Sequence, residues 1–283
     1  MICFVVDSTC DIPEAWREHY KPEVLPLIVS VDGREYLDQV DIQLEELHGY
    51  MRQGIVPKTA QVPAEQMYEI FGRHLKQGED VIYLSFSAAM SGTYALAAVI
   101  MEELREKYPK RRLALVDSRG GCLATGLIAV RACALIEQGA SFDTVVSETE
   151  RMVGQVEHLF TLPNLNWLVK GGRVARPLGF IGDVINIKPV LDVENGKMVV
   201  IKMVRGNKKS LQYLADELAL RAAKYPDQWI ALAHCADPET AALLERLVKE
   251  RLPHCHTVIC KIGCVLSAHL GIGGVGAFFF REP

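Results

Sequence analysis

Hydrophobic residues in the first half of the chain form short continuous runs that alternate with longer helix-like segments. Three runs read ICFVVD, VIYLSF and LALVDS, at positions 2–7, 81–86 and 113–118. Such runs are typical of buried strands, and helical periodicity follows the second and third, at 93–108 and 123–139. Strands that alternate with helices predict a parallel sheet covered by helices, as in Rossmann-like α/β folds.

Polar residues follow each of these strands at its carboxyl end. Asp7, Ser85 and Asp117 stand at or beside the three endings. Ligands of such sheets bind beyond the carboxyl ends of the strands, so this rim is predicted to carry a site. A buried helical stripe begins after Pro63, and the preceding residues 58–61 are predicted to form a loop.

The second half no longer alternates strands and helices regularly, and it carries one strong hairpin signal. Asn195 and Gly196 lie between two strand-like segments within 188–206, and this dipeptide favours a tight hairpin turn. Further predicted strands are 158–164, 229–235, 257–263 and 275–280, and predicted helices are 165–172, 180–186, 207–225 and 238–252. A glycine-rich turn is predicted before the last strand. We therefore expect two domains that share a cleft, an α/β domain over 1–155 and an α+β domain with a mixed or antiparallel sheet over 156–283.

Composition indicates an ordinary globular protein. The 283 residues are 49% hydrophobic and 23% charged, with a net charge of -4. That charge supplies no cationic field for nucleic acid, and no apolar run approaches the roughly 20 residues that span a bilayer. We expect a cytoplasmic protein with neither a nucleic-acid partner nor stable membrane insertion.

Eight cysteines are spread along the chain rather than gathered into a disulfide framework. The segment HCHTVICKIGC combines two histidines with three cysteines, but it has no CxxC pair and alternates as a strand does. We predict reduced cysteines and no metal site.

Glycine-rich motifs that bind nucleotides are also excluded. GIGGVG, at 271–276, fits G-x-G-x-x-G, but a strand follows it where a helix is required. SAAMSGTY lacks the ending of a Walker loop, and no G-x-S-x-G elbow is present. No cofactor is predicted.

Ser91 and Gly92 lie where the second strand gives way to a helix. Unpaired N–H groups and a hydroxyl at such a point can hold one anion, a carboxylate or a phosphate. A serine at this position can equally serve only as a helix cap. The stretch alone leaves both readings open.

Short motifs in a constant order give the chain a resemblance to the DegV family, whose members bind fatty acids. The matching residues are Asp7–Thr9, Thr59–Val62, Met90–Tyr94, Val116–Ser118, Lys170–Arg173, Asn186–Pro189, Arg205 with Lys208 and Lys209, and His269. Ala60 and Val62 replace the usual serine and proline, and Ile272 replaces a proline of the glycine turn.

The resemblance implies that one long-chain fatty acid is buried between the two domains and presented to a fatty-acid kinase, which forms the acyl phosphate. The protein itself is then a binding protein and not an enzyme. The carboxylate of the fatty acid would be bound by Thr59, Ser91, Gly92 and His269. Arg205 is a further candidate for the carboxylate or phosphoryl group, and Lys208 and Lys209 for a kinase-docking face; a solvated helix start is the alternative for all three.

Two other functions remain open on sequence. In a serine-dependent acyl hydrolase, Ser91 would be the nucleophile, His269 its base and Asp7 or Asp117 the orienting carboxylate. In a phosphate-ligand or regulatory binding module, the same helix start would bind the anion together with the basic run from Lys202 to Lys209.

Overall fold

A computed structural model describes residues 1–174 and 186–282. Its strands are β1 (Ile2–Asp7), β2 (Glu23–Leu25), β3 (Ile28–Val31), β4 (Arg34–Leu37), β5 (Lys58–Ala60), β6 (Asp80–Ser85), β7 (Leu113–Asp117), β8 (Val156–Thr161), β9 (Ile187–Glu194), β10 (Lys197–Arg205), β11 (Trp229–His234), β12 (His256–Lys261) and β13 (Val275–Phe280). Its helices are α1 (Glu14–Tyr20), α2 (Leu44–Arg52), α3 (Ala64–Lys76), α4 (Thr93–Lys107), α5 (Cys122–Glu137), α6 (Phe142–Val153), α7 (Asn166–Gly171), α8 (Asn207–Arg221), α9 (Pro238–Arg251) and α10 (Cys264–Leu270).

The first sheet is parallel, as the alternating pattern predicts. Its four strands lie in the order β2-β1-β6-β7, and every neighbouring pair is parallel. β6 is buried along its whole length because helices cover both faces. The carboxyl ends of β1, β6 and β7 therefore meet at one rim, with their polar residues.

The second sheet is mixed, and all six of its strands come from the second half of the chain. The order is β10-β9-β8-β13-β11-β12, antiparallel throughout except for the pair β11 and β12. Asn195 and Gly196 form the predicted turn between β9 and β10, both with positive φ, 50° and 78°. The predicted α/β plus α+β architecture is confirmed, and the boundary at residues 155 and 156 stays a prediction.

A third sheet corrects the expectation of a loop at 58–61. Lys58–Ala60 form β5, which pairs antiparallel with β3, and β3 pairs with β4. Three residues are too few to show an alternating pattern, so this strand is specified by its backbone pairing with β3. The pairing places Thr59 opposite Val29.

The short helix α10 was not predicted from the sequence, and the expected glycine-rich turn follows it from Gly271. Five of the seven residues of α10 are buried. A short helix that is buried on almost every side has no polar face, so its sequence shows no amphipathic period. The segment predicted as a helix at 180–186 lies outside the described residues except for Asn186.

Helix α5 joins the two main sheets into one core. It packs against β1 of the first sheet and against β8, β11 and β13 of the second. Its sequence is apolar around most of its circumference, as expected for a helix buried between layers. Within the described residues, no helix is both long and apolar enough to cross a membrane.

Candidate functional site

A cavity of about 400 Å³ lies between the rim of the first sheet and the face of the second. Most of its wall is hydrocarbon or aromatic, including Phe86, Phe160, Leu162, Met198, Val265 and Phe278. Polar side chains contribute only a small part of the wall. Apolar pockets of this size with a few grouped polar atoms are typical of sites for small organic ligands.

Thr59 and His269 meet at this cavity. The hydroxyl Oγ1 of Thr59 lies 2.7 Å from Nε2 of His269, a hydrogen bond between residues 210 positions apart. β5 carries the threonine and α10 the histidine, and the sequence pattern predicted neither of these elements. The pair therefore exists only because these two short elements pack together.

The imidazole of His269 is neutral near neutral pH. Burial and, to a smaller extent, the positive charge of Arg173 together lower its pKa to about 4. Its second nitrogen, Nδ1, is buried and has no hydrogen-bond partner among the described residues. A Cβ on Gly171 would lie 2.2 Å from this Nδ1, so the helix end of α7 can approach the ring only because residue 171 is glycine.

Ser91 lies two residues before helix α4 and lines the cavity. Its Oγ accepts a hydrogen bond from the backbone N–H of Thr93 at 3.2 Å and lies 2.9 Å from the Thr93 hydroxyl. Thr93 in turn accepts a 3.4 Å hydrogen bond from the N–H of Val62, beside β5. Ser91 and Gly92 both belong to the cavity wall. These hydrogen bonds fix the serine turn, residues 86–92, against the segment that carries Thr59.

Gly92 lies in close contact with Gln61. A Cβ on residue 92 would stand 2.4 Å from Oε1 of that glutamine. Thr59, Gln61, Ser91, Gly92 and His269 are all wall residues. Four of the five predicted ligand contacts are therefore brought together, and their contact with a ligand stays a prediction.

Arg205 is the fifth predicted contact, and the structure places it elsewhere. It is the last residue of β10, is exposed, and does not belong to the described wall of the cavity. A role toward a bound group or a partner stays a prediction for this residue.

Arg173 is a wall residue that the sequence analysis did not select. Its Nη1 donates to the carbonyl of Gly171 at 2.6 Å, and its Nε donates to the carbonyl of Met90 at 3.4 Å. These bonds hold the positively charged guanidinium group of Arg173 between the end of α7 and the serine turn. Its signal in the sequence is its place directly after the glycine pair, where Gly172 ends α7 with a positive φ of 71°.

His158 on β8 is another wall residue that the sequence analysis did not select. Burial lowers its pKa to about 4, so this imidazole is also neutral near neutral pH. From the sequence, a single histidine in a predicted strand cannot be recognised as a residue that lines a cavity.

The residues of the hydrolase alternative are not arranged as a triad. His269 pairs with Thr59, and Ser91 pairs with Thr93. The carboxylate of Asp7 accepts hydrogen bonds from the hydroxyls of Thr9 and Tyr83 and from the N–H of Phe86. Burial raises the pKa of this carboxyl group. Asp117 accepts from the N–H groups of Ala88 and Arg119. The two carboxylates thus shape the strand ends rather than orient an imidazole.

The hairpin between β9 and β10 reaches the serine turn from the second sheet. Oγ of Ser87 donates a 2.7 Å hydrogen bond to the carbonyl of Gly196 at the tip of the hairpin. Val193 and Met198, on either side of the tip, belong to the cavity wall. The hairpin therefore covers one side of the cavity.

All eight cysteines are free thiols in the structure. Burial raises the pKa of Cys260 to about 12, so the thiol that the sequence places beside histidines is protonated. Within residues 1–174 and 186–282, no group of three or more histidine, cysteine or acidic side chains is arranged to hold a metal ion.

Comparison with known proteins gives the same family over the whole chain. The family model described as "Uncharacterised protein, DegV family" matches residues 1–282. A DegV domain-containing protein of Clostridium perfringens is 36% identical over 283 residues, which cover 98% of this chain and 97% of that protein.

Two solved structures extend the similarity to the fold. One, described as fatty acid binding of a DegV family protein from Thermus thermophilus, is 28% identical with a TM-score of 0.88 and 98% coverage of both chains. The other, described as DegV, a fatty acid binding protein from Bacillus subtilis, is 27% identical with a TM-score of 0.85 and 99% coverage of both chains. The chain belongs to the DegV family.

Proposed function

We propose that this protein binds one long-chain fatty acid in the cavity and presents its carboxylate to a fatty-acid kinase for acyl-phosphate formation. The observation that carries the binding step is the pairing of Thr59 with His269 at an otherwise apolar cavity. Similarity to two DegV proteins described as fatty-acid-binding supports the same ligand class.

The apolar wall provides the favourable free energy for the acyl chain. Each methylene removed from water contributes about 0.8 kcal/mol, so a chain of roughly 16 methylenes more than offsets the cost of ordering it. A buried carboxylate is costly unless donors surround it. The ligand must therefore place its carboxylate at the polar residues.

Thr59, Ser91, Gly92 and His269 form the proposed carboxylate seat. In the tautomer with its proton on Nε2, His269 donates to Oγ1 of Thr59, which leaves the threonine hydroxyl hydrogen free for a ligand oxygen. Ser91 and the backbone at Gly92 supply further donors from the serine turn. Arg173 adds a positive charge beside the seat.

The kinase supplies the nucleotide chemistry in this proposal, since the chain has no Walker loop or dinucleotide motif. The acyl group and a docking surface come from this protein. Lys208 and Lys209 are the proposed docking residues because they are exposed at the start of α8, outside the cavity wall. Arg205, exposed at the end of β10, is the proposed contact for the carboxylate or phosphoryl group.

Native mass spectrometry of the purified protein tests the binding step, followed by denaturing extraction of any released molecule. We expect one fatty acid per chain, and loss of most of it in Thr59→Val. Thr257→Val is the matched control, a threonine on β12 that bonds to Glu245 outside the cavity. A protein that is empty and takes up no added fatty acid contradicts the proposal, and a bound phosphate compound favours the phosphate-ligand alternative.

A fatty-acid kinase from the same organism tests the presentation step. We expect ATP consumption and acyl phosphate only when the kinase is mixed with the loaded protein. Kinase activity that is the same with loaded and empty protein contradicts this part of the proposal and leaves the binding step standing.

A further inference from the structure

Helix α10 carries His269, and its position must be fixed by its surroundings. Its seven residues make only about two helical turns, and a helix this short is unstable by itself. It packs against β5, which carries Thr59, and against α2 and α7. The contacts around α10 therefore decide whether the imidazole reaches the threonine hydroxyl.

Ser267 lies on the opposite side of α10 from His269. Each residue turns an α-helix by about 100°, so two positions correspond to about 200°. His269 faces Thr59. Ser267, whose side chain is fully buried, faces Cys235 and His48. A rotation of α10 would therefore displace both contacts together.

The hydroxyl of Ser267 is the centre of a buried polar cluster. Its Oγ donates a 3.0 Å hydrogen bond to the carbonyl of Ile262 and accepts one of 3.2 Å from the thiol of Cys235. Nε2 of His48 lies 3.4 Å from the same oxygen and 3.5 Å from Sγ of Cys235. The cluster thus connects α10 with α2 and with the residue that follows β11.

The partners of Ser267 are themselves held in place. The backbone of Cys235 donates to the carbonyl of Gly274 and accepts from the N–H of Gly273, both at 2.8 Å. Burial raises the pKa of the Cys235 thiol to about 11, so its proton is present for donation to the serine. Burial lowers the pKa of His48, so this imidazole is neutral near neutral pH.

We propose that Ser267 is a positioning residue, which holds α10 in the rotation at which His269 meets Thr59. Cys235 and His48 supply the fixed points. The assignment rests on the proposed function, because its consequence is recognition of a carboxylate at the seat. Buried polar groups with several partners favour one arrangement, since any other leaves them unpaired. Apolar contacts are not directional and do not select one rotation in this way.

Binding of oleate and of methyl oleate to delipidated, full-length protein tests this role. The ester keeps the acyl chain but lacks the carboxylate, so the ratio of the two affinities measures carboxylate recognition separately from cavity shape. In Ser267→Ala we expect the ratio of oleate to ester affinity to fall about three- to tenfold. The reason is that the hydrogen bond between His269 and Thr59 loses its alignment, on which its strength depends.

Ser210→Ala is the matched control for this variant. Ser210 is also fully buried in a helix, α8, where it donates a 2.8 Å hydrogen bond to the carbonyl of Asn207 outside the described cavity wall. We expect Ser210→Ala to keep the ratio of the unmodified protein, whatever its effect on stability. Ser267→Thr, which retains the hydroxyl, is expected to keep the ratio as well.

Cys235→Ala tests the same cluster without changing α10. It removes the thiol donor and leaves the serine hydroxyl, so we expect a smaller fall of the ratio in the same direction. Cys255→Ala is its control, at a buried cysteine outside the described cavity wall, and is expected to leave the ratio unchanged.

A double variant connects the effect with the imidazole. In a His269→Phe protein, the further change Ser267→Ala is expected to leave the ratio unaltered, because the pair with Thr59 is already absent. A further fall of the same size overturns the proposal, because Ser267 would then act by another route.

An unchanged ratio in Ser267→Ala overturns the proposal, as does an unchanged ratio in Cys235→Ala where the serine variant does not fold. An equal fall in Ser210→Ala or in Ser267→Thr overturns it as well. Unmodified protein that binds neither ligand, or binds both equally, contradicts the proposed function itself, and the positioning role falls with it. The two failures are therefore distinguishable.

Discussion

Oγ1 of Thr59 and Nε2 of His269, 2.7 Å apart, join the third sheet to the helix that precedes the last strand. Neither residue lies on the rim of the first parallel sheet, where the strand pattern alone predicts a ligand site. The proposed carboxylate seat is therefore assembled from β5, α10 and the serine turn together.

Replacing His269 by phenylalanine is expected to weaken binding of the fatty acid and to leave its methyl ester almost unaffected. In the proposed seat the imidazole holds Thr59 so that the threonine hydroxyl donates to the carboxylate. A hydrogen bond to a charged group is worth about 1.5–3 kcal/mol, which corresponds to roughly ten- to hundredfold in affinity. Competition against a fluorescent fatty acid measures both ligands. An equal loss for acid and ester would show that the variant alters the shape of the cavity and not its carboxylate recognition.

Gly171→Ala is expected to displace His269 and to lower fatty-acid affinity, because the new Cβ would lie 2.2 Å from Nδ1. Gly49→Ala on α2 is the matched control, since a Cβ there meets nothing within 4 Å and alanine favours a helix by about 1 kcal/mol. Isothermal titration of both variants checks the effect. Unchanged affinity in Gly171→Ala contradicts the assigned role of the glycine.

Gly196→Ala is expected to destabilise the protein more than Gly33→Ala. Both glycines have a φ of 78°, which costs an alanine about 1 kcal/mol, but only at residue 196 would the Cβ meet a neighbour, Oγ of Ser87 at 2.6 Å. Urea denaturation of the two variants gives the difference. Equal losses would mean that the hairpin tip tolerates displacement from the serine turn.

The ligand-free protein is expected to lose stability as the pH falls from about 6.5 to 4, in part through His158. Burial lowers the pKa of this imidazole from 6.5 to about 4, so in that interval the unfolded chain binds a proton that the folded protein does not. The contribution is complete above 6.5 and is lost toward 4. His158→Phe should therefore flatten the pH dependence of the unfolding free energy.

Denaturant titrations of both proteins at several pH values measure this difference. The comparison is needed because Asp11, whose pKa burial raises to about 7, acts in the opposite direction and loses its contribution as the pH rises. That residue is the same in both proteins, so its effect cancels. Identical slopes would place His158 in a more hydrated setting than its burial implies.

Elements whose own residues carry a clear hydrophobic pattern or a turn dipeptide could be predicted from the sequence. The two central parallel strands, the long helices and the hairpin at Asn195 and Gly196 each carry a pattern or a turn dipeptide that is sufficient by itself. Asp32 and Gly33 carry the same kind of turn signal and join β3 to β4, but strands of four residues gave no clear alternation beside it.

Elements that depend on long-range packing could not be predicted in this way. β5 exists through pairing with β3, and α10 through burial on nearly all sides. Ser91 and Gly92 could be selected as a candidate anion site from their place between a strand and a helix, whereas Thr59 and His269 were available only as family motifs. Arg173 and His158 were missed because their place on the cavity wall follows from tertiary contacts.

Because the seat combines residues from both halves of the chain, a ligand that occupies it binds only when those halves are correctly packed. By mass action, free ligand at a hundred times its dissociation constant adds about 2.7 kcal/mol to the stability of the folded state. Loaded and empty molecules would then differ in resistance to heat and proteases. The supply of ligand would set not only how much of the protein is occupied but also how long each copy survives.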